Sequence, residues 1–345
     1  MTRLVTIKDV AAKAGVNAST VSRTLKNSSS ISEKTKEKVR RAMEELGYVP
    51  NVTAARLASG LTKAIGLILP PMTTPDRISQ PFFMEILAAV NDEARQHDLT
   101  LSIATGTSLD DLYNQVVLMY KQKLVDGFII LYSEKGDPVS QYLRSNQIPF
   151  VIVGQAEELM NEVTFIDNDN QLMARTAVDY LHQKGHRNIL FVTDDQRSEV
   201  YLERYFGYVR GTSSLNLPIF DSGVFDRHDA ETLDHLIETI KSNQITAAVV
   251  IDDMLAVRFM QFLSFYGINV PHDISIISFN NSTYSRIVHP YLTSFDINIE
   301  TLGRTSLQRL LEKIKNSDVK AEKIIVPFDL KERESVRRLN GGDDN

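Results

Sequence analysis

Seven short apolar runs recur through the larger part of this chain: AIGLIL (64–69), LTLSIAT (99–105), GFIILY (127–132), PFVIVG (149–154), NILFVT (188–193), AAVVID (247–252) and ISIISF (274–279). Amphipathic stretches such as Phe83–Gln96 and Leu112–Lys123 separate them. Unbroken apolar strands with helices between them imply parallel pairing, with both faces of the sheet covered. The fold class is therefore α/β, and this many units fit two sheets better than one. Ligands of open parallel sheets bind beyond the carboxyl ends of the strands. That rule selects Pro70 to Phe83, Tyr132-Ser133, Asp194-Asp195, Asp252-Asp253 and Asn280-Asn281. Asp252 and Asn280 offer groups able to bond hydroxyls, with a strand-end turn role as the equal alternative. Phe82, Phe83 and Tyr132 offer rings to stack on a ligand face, since the chain has no Trp.

At 345 residues the chain exceeds what one core usually holds, and its beginning reads differently from the rest. Residues 1–60 carry eleven Lys/Arg against five Asp/Glu, and the remainder carries 27 against 39. A cationic head on an acidic body suits a polyanion at one end, although a solvated basic helix would show the same balance. Thr6 and Asp9 have the spacing of a capping box, which predicts a helix from Ile7 with Ile7, Val10 and Ala14 on one face. Gly15 ends it, and Val16-Asn17 lead into a second helix over 18–25, with Val21 and Leu25 expected inside and Ser19, Ser22, Arg23 and Lys26 outside. A third helix is predicted after Ser32, with Val39, Met43 and Leu46 as its apolar stripe. Three short helices on one small core make a helix-turn-helix unit, whose second helix enters the DNA major groove.

The residues TIKDVAAKAGVNASTVSRTLKN, followed by ISEKTKEKVRRAMEELGYVPNVTAARLASG, closely resemble the head and hinge of the lactose-repressor family of bacterial regulators. The resemblance implies that Ala18, Ser19 and Arg23 read base edges, with Arg23 able to give guanine two hydrogen bonds. Thr6, Asn17, Thr20 and Ser22 match phosphate-contacting positions, which fix register without reading sequence. Helix capping or simple solvation is the plainer role for Thr6, Thr20 and Ser22. The hinge over 51–58 is too short to persist alone as a helix. In the family two such helices pair in the minor groove, so Asn51 and Ala54 are expected at the DNA, with Leu57 as a wedge between base steps.

The body resembles a two-lobed periplasmic-binding-protein-like sensor over its whole length. The matches are VDGFI (125–129), DNDN (167–170), KGHRNILFV (184–192), Arg204 and Gly207 in ERYFGY, VPHDISIISFNNS (270–282), HPYLTSFDINIETLG (289–303) and VPFDLKERESV (326–336). Arg204 matches the arginine that grips ligand hydroxyls in sugar-binding members, Asp252 and Asn280 its polar partners, and Phe225 a pocket aromatic. A salt bridge on its own helix is the plainer role for Arg204. Pro70 and Leu131 stand where the lactose repressor has polar groups, so a galactoside pocket is not expected. RISQPFF (77–83), ATGTS (104–108) and IDNDN (166–170) look most like the maltose-operon repressors of low-GC Gram-positive bacteria.

The resemblance implies a head over 1–48, a hinge and linker over 49–60, a two-lobed body over 61–340 and a tail over 341–345. Lobe one is expected to take about 61–184 and 299–326, and lobe two about 185–298 and 327–340. It further implies a homodimer on a near-palindromic operator in double-stranded DNA, released by a sugar effector, maltose or a maltodextrin. A regulator tightened by a purine or phosphoprotein corepressor is the alternative within the family. A sugar-binding receptor without gene control is the alternative outside it, and residues 6–57 speak against that. No GxSxG elbow, phosphate loop, GxGxxG or HExxH occurs, so neither enzyme activity nor a metal or cofactor is expected. Adjacent aspartates at 110-111, 194-195 and 252-253 point in different directions, unlike a glycosidase pair. MTRLVTIKDV lacks an export signal, the chain has no cysteine and no apolar run spans a membrane, so the expected place is the cytoplasm. RRLNGGDDN after Val336 has no heptads, which favours a dimer over a tetramer.

Overall fold

The computed structural model describes residues 5–25, 27–48, 61–71, 79–134, 136–155, 161–196 and 198–339. The chain divides into two compact units, Met1–Thr62 and Lys63–Asn345. The hinge residues Asn51, Ala54 and Leu57, and Lys26, lie outside the described residues.

The head holds α1 (Ile7–Ala14), α2 (Ala18–Leu25) and α3 (Glu33–Leu46) around Val10, Ala11, Val21, Val39 and Ala42. Both the amide and the hydroxyl of Thr6 donate to Asp9 Oδ2, at 2.8 and 2.7 Å, which fixes the start of α1. Gly15 ends that helix with φ +66°, a left-handed conformation open to glycine. Ser32 Oγ accepts from the Thr35 amide and starts α3. One expectation is corrected here. Leu25 is 39% exposed and Thr24, 4% exposed, takes the inner place beside Val21. Positions three and four after Val21 flank the same helical stripe, and the last residue of so short a helix overhangs a core only three helices wide.

In the body, the seven anticipated runs form β1 (Ala64–Ile68), β2 (Thr100–Ala104), β3 (Phe128–Ile130), β4 (Phe150–Val153), β6 (Ile189–Thr193), β8 (Ala247–Val250) and β9 (Ser275–Phe279). Five further strands join them: β5 (Phe165–Asp167), β7 (Gly223–Val224), β10 (Thr293–Asp296), β11 (Lys323–Ile325) and β12 (Asp329–Lys331). They build two six-stranded sheets, ordered β11-β5-β4-β3-β1-β2 and β12-β10-β9-β8-β6-β7. All neighbours pair in parallel except β12, which runs antiparallel to β10. The first sheet takes strands from 64–167 and 323–325, the second from 189–296 and 329–331. The backbone therefore crosses between the sheets three times, after β5, after β10 and after β11.

Helices α4 (Pro81–Gln96), α5 (Leu109–Lys121), α6 (Pro138–Ser145), α7 (Asn170–Gln183), α8 (Glu199–Ser214), α9 (Ala230–Ser242), α10 (Asp253–Phe265), α11 (Tyr284–Ile287) and α12 (Ile299–Lys315) cover the sheets. Among the described residues no helix is long and apolar enough to cross a membrane. The helices α7 and α8 meet at backbone distance, because a Cβ on Gly207 would lie 2.2 Å from the Gln171 carbonyl oxygen. That neighbour is main chain and cannot swing aside. Alanine would gain about 1 kcal/mol in helix propensity but must push the helices apart, at about 1–3 kcal/mol or more. Gly207→Ala is expected to lower the thermal midpoint of the body; an unchanged midpoint would show that the α7–α8 spacing relaxes freely.

Candidate nucleic-acid interface and ligand cleft

On α2, Ser19 and Arg23 are exposed and Ala18, Thr20 and Ser22 half-buried, with Asn17 exposed just before the helix. Val21 and Thr24 point into the core, so the other face of α2 is polar and ends in a cation. Among the described residues the Arg23 guanidinium makes no hydrogen bond or ion pair. By contrast Lys13 is held by Glu45 at 3.0 Å, and buried Lys36 by Glu33 at 2.7 Å. The net charge of the head is thus not spread evenly: two of its cations are neutralised within the fold. Thr6 is exposed but commits its amide and hydroxyl to Asp9, so the structure uses it as a cap.

In the body the two sheets share a cleft. Its walls are Gln80, Pro81 and Phe82 from the start of α4, facing Asp252, Asp253, Met254, Asn280 and Ser282 around the carboxyl ends of β8 and β9. Phe82, Asp252 and Asn280 are therefore brought together as the strand-end rule requires. Asp252 also caps α10, its Oδ1 accepting from the Leu255 amide at 2.7 Å, and Oδ2 accepts from Gln80 Nε2 at 3.3 Å. Cap and cleft wall are here the same residue. Asn280 holds φ +95°, a left-handed conformation unusual for a side-chain-bearing residue, and its amide donates to the Phe295 carbonyl.

Four candidates lie elsewhere. Phe83 is half-buried and packs edge-on to Phe82, with ring centroids 5.5 Å apart. Tyr132 is buried and donates its hydroxyl to Asp137 Oδ1 at 3.0 Å, so it braces the cap of α6 and does not line the cleft. Phe225 is buried edge-on against Phe259 and Phe262, in an aromatic cluster behind the sheet end. Arg204, 5% exposed, sits behind the cleft wall. Its Nε donates to Asn170 Oδ1 at 2.9 Å, Nη1 donates to the Ile251 carbonyl, and its guanidinium stacks 4.2 Å over the Phe279 ring. A strand-end rule locates where the backbone emerges, and it says nothing of whether a large side chain then turns outward or into the core.

Asp167, Asn168, Asn170 and Asp253, to which the sequence alone assigns no individual role, brace the site. Asn170 Nδ2 donates to Asp167 Oδ2 at 3.0 Å, and Asp167 Oδ1 accepts from the Asn168 amide at 2.8 Å. Asn168 Nδ2 then donates to the carbonyls of Ile297 and Val326, at 3.0 and 2.9 Å. One buried amide thus joins all three inter-sheet crossings, and hydrogen bonds run unbroken from it to Arg204. Their signal was the DNDN motif, legible as a match but not as a geometry. Asp253, 1% exposed, accepts from Ser278 Oγ, Ser294 Oγ and the Ser282 amide, each at 2.6 Å, and fastens α10 to the ends of β9 and β10.

Burial sets the electrostatics. Desolvation pushes Asp167 up to about 6 against the opposing bonds from Asn168 and Asn170 and the charge of Arg204, and likewise Asp253 up to about 6. Asp194, at the end of β6, is pushed to about 6 by burial and then by the charge of Asp252. Asp252 itself is raised, chiefly by burial. Burial lowers Arg204 to about 10, with Asp167, Asp252 and Asp253 holding it up. Asp167, Asp194, Asp252 and Asp253 outnumber the guanidiniums of Arg204, Arg258 and Arg333 that act on them, so the cleft is suited to an uncharged, hydroxyl-bearing ligand and disfavours an anion. An acid whose folded pKa is raised contributes stability that is present below its unfolded value and lost as pH rises through the folded one. For Asp194 that window runs from about 3.8 to about 6, and a shift of that size corresponds to at most roughly 3 kcal/mol. Asp194→Asn is therefore expected to gain thermal stability relative to the unaltered chain as pH rises from 4 to 7. A difference flat in pH would contradict this.

A three-helix head with a polar, cation-bearing second helix, joined to a body whose two parallel sheets face one cleft, defines a DNA-binding regulator with a ligand-sensing body. Residues 6–51 match the bacterial regulatory proteins of the lacI family, and residues 178–336 match the periplasmic binding protein-like domain. The chain is 33% identical over 318 residues to the HTH-type transcriptional regulator MalR of Streptococcus pneumoniae, covering 91% of this chain and 94% of that protein. It is 30% identical over 340 residues to MalR of Staphylococcus xylosus, covering 97% and 99%. A crystal structure described as a probable maltose operon transcriptional repressor malR from Staphylococcus superposes with a TM-score of 0.74 at 27% identity, covering 81% of this chain and all of that one. The chain belongs to the lacI family and is a DNA-binding transcriptional repressor.

Proposed function

We propose that this repressor controls genes for maltose or maltodextrin use, and that such a sugar, bound in the cleft, releases it from operator DNA. The observation that carries this reading is the cleft itself. It sets an aromatic ring, Phe82, against Asp252 and Asn280 across the two lobes, so a hydroxylated ligand there touches both and bears on their relative position. End-to-end similarity to MalR regulators supports the sugar class, and the excess of carboxylates weighs against a phosphorylated effector. In this account two chains bind a near-palindromic operator, one head per half-site. Arg23 reads guanine, Ala18 and Ser19 meet neighbouring base edges, and Asn17, Thr20 and Ser22 hold phosphates. The segment 49–60, with Asn51, Ala54 and Leu57 at the minor groove, is where the body acts on the head. Arg204, Asp252 and Asn280 answer the sugar hydroxyls. A gel-shift titration on operator with maltose, maltotriose, sucrose, ribose and purines tests it. Release by maltose or maltotriose is the expected result. Release by none of the sugars, or tightening by any compound, would refute the inducer role.

A further inference from the structure

We propose that Gln80 is a selectivity residue of the cleft, its carboxamide holding the Asp252 carboxylate that an effector hydroxyl must take over. This rests on the reading of the cleft as the effector site. Gln80 occupies the N-cap position of α4 with extended backbone, yet its side chain makes no capping bond. An N-cap side chain ordinarily serves the first free amides of its helix. Pro81 at the first helical position removes one of those amides and relieves part of that need. The freed carboxamide turns across the cleft, and Nε2 reaches Asp252 Oδ2 at 3.3 Å. Asp252 Oδ1 is already committed to the Leu255 amide, so Oδ2 is the oxygen that Gln80 and a ligand both seek. Beside it the Ser79 hydroxyl stands 3.7 Å from Met254 Sδ, a second contact between the same two walls.

These contacts leave room for about one water-sized sphere, roughly 10 Å³, so a sugar enters only as the two walls part. What replaces Gln80 must itself donate to a carboxylate. A hydroxyl does so; an ionised carboxylate or a fully ionised phosphate, which only accepts, does not. Gln80 therefore selects for donor-rich, uncharged ligands and sets the threshold at which they act.

The experiment uses the full chain in two arms. Hydrogen exchange without added sugar reads the bridge directly. Gln80→Ala is expected to speed exchange at the amides of 82–84 and 253–256 several-fold, and Gln80→Glu, which sets two carboxylates against each other, more so. Unchanged exchange in both variants would overturn the bridge. Calorimetry with maltose and maltotriose reads the selection. Gln80→Ala should bind on the order of tenfold more tightly, the equivalent of one hydrogen bond to a charged group no longer broken. Weaker binding by that variant would make Gln80 a direct ligand contact and sink the proposal. If the unaltered chain binds neither sugar, the sugar assignment fails while the exchange arm still decides the bridge.

Discussion

A chain carrying Arg204→Met is expected to hold its operator at maltose or maltotriose concentrations that release the unaltered repressor. The Arg204 guanidinium sits among Asp167, Asp252 and Asp253, and it is fixed by Asn170, the Ile251 carbonyl and the Phe279 ring. Methionine keeps much of the length and the contact with Phe279, but it removes every donor. Two losses follow. Ligand hydroxyls lose a charge-assisted partner close behind the Asp252 wall, and the hydrogen-bond chain toward Asn168 is cut at its first link. Removing one partner of a buried ionic cluster also typically costs 3–5 kcal/mol of stability. Here part of that is offset, since Asp167, already pushed to about 6, takes up a proton once its cation is gone. Operator affinity without sugar separates the two effects. It should stay near that of the unaltered chain while the sugar response falls by at least tenfold. A variant released at the ordinary sugar concentration would remove Arg204 from the effector site and leave it a structural residue.

Arg23→Ala is expected to weaken operator binding by about 1–3 kcal/mol, or roughly 5- to 150-fold, with little change on random-sequence DNA. Arg23 is exposed, so its loss leaves the Val10, Val21 and Val39 core untouched and the head folded. With Ala18 and Ser19 small, the burden of base reading falls on this one side chain. Competition gel shifts with operator and random duplexes distinguish the possibilities. Equal loss on both, with a shallower dependence on salt, would mean that Arg23 holds a phosphate and reads no base.

Much of this architecture was legible in the residues because it rests on strong local signals. Seven apolar runs of five or more residues announce seven strands, and Thr6 with Asp9 announces a helix start. β5, β7 and β10 to β12 lie outside such runs and depend on the neighbours they pair with. Asp252 and Asn280 meet in the cleft because strand ends in a parallel sheet converge by topology. Tyr132 and Phe225 pack away from the cleft lining, since an aromatic at a strand end serves equally well as packing. Gln80 falls in the segment that the strand-end rule selects and Asn168 in the DNDN match, but neither pattern gives the role. Their roles depend on reaching a second lobe or joining three crossings far apart in sequence, and no local pattern encodes that.

The central claim is that operator and sugar oppose each other through one coupling energy, and reciprocity tests it most directly. The affinity of the full chain for maltotriose, measured by calorimetry alone and then with saturating operator duplex, should fall by the same factor by which maltotriose weakens operator binding, typically about 5- to 150-fold. Equal sugar affinity with and without operator, or tighter binding in its presence, would contradict the account.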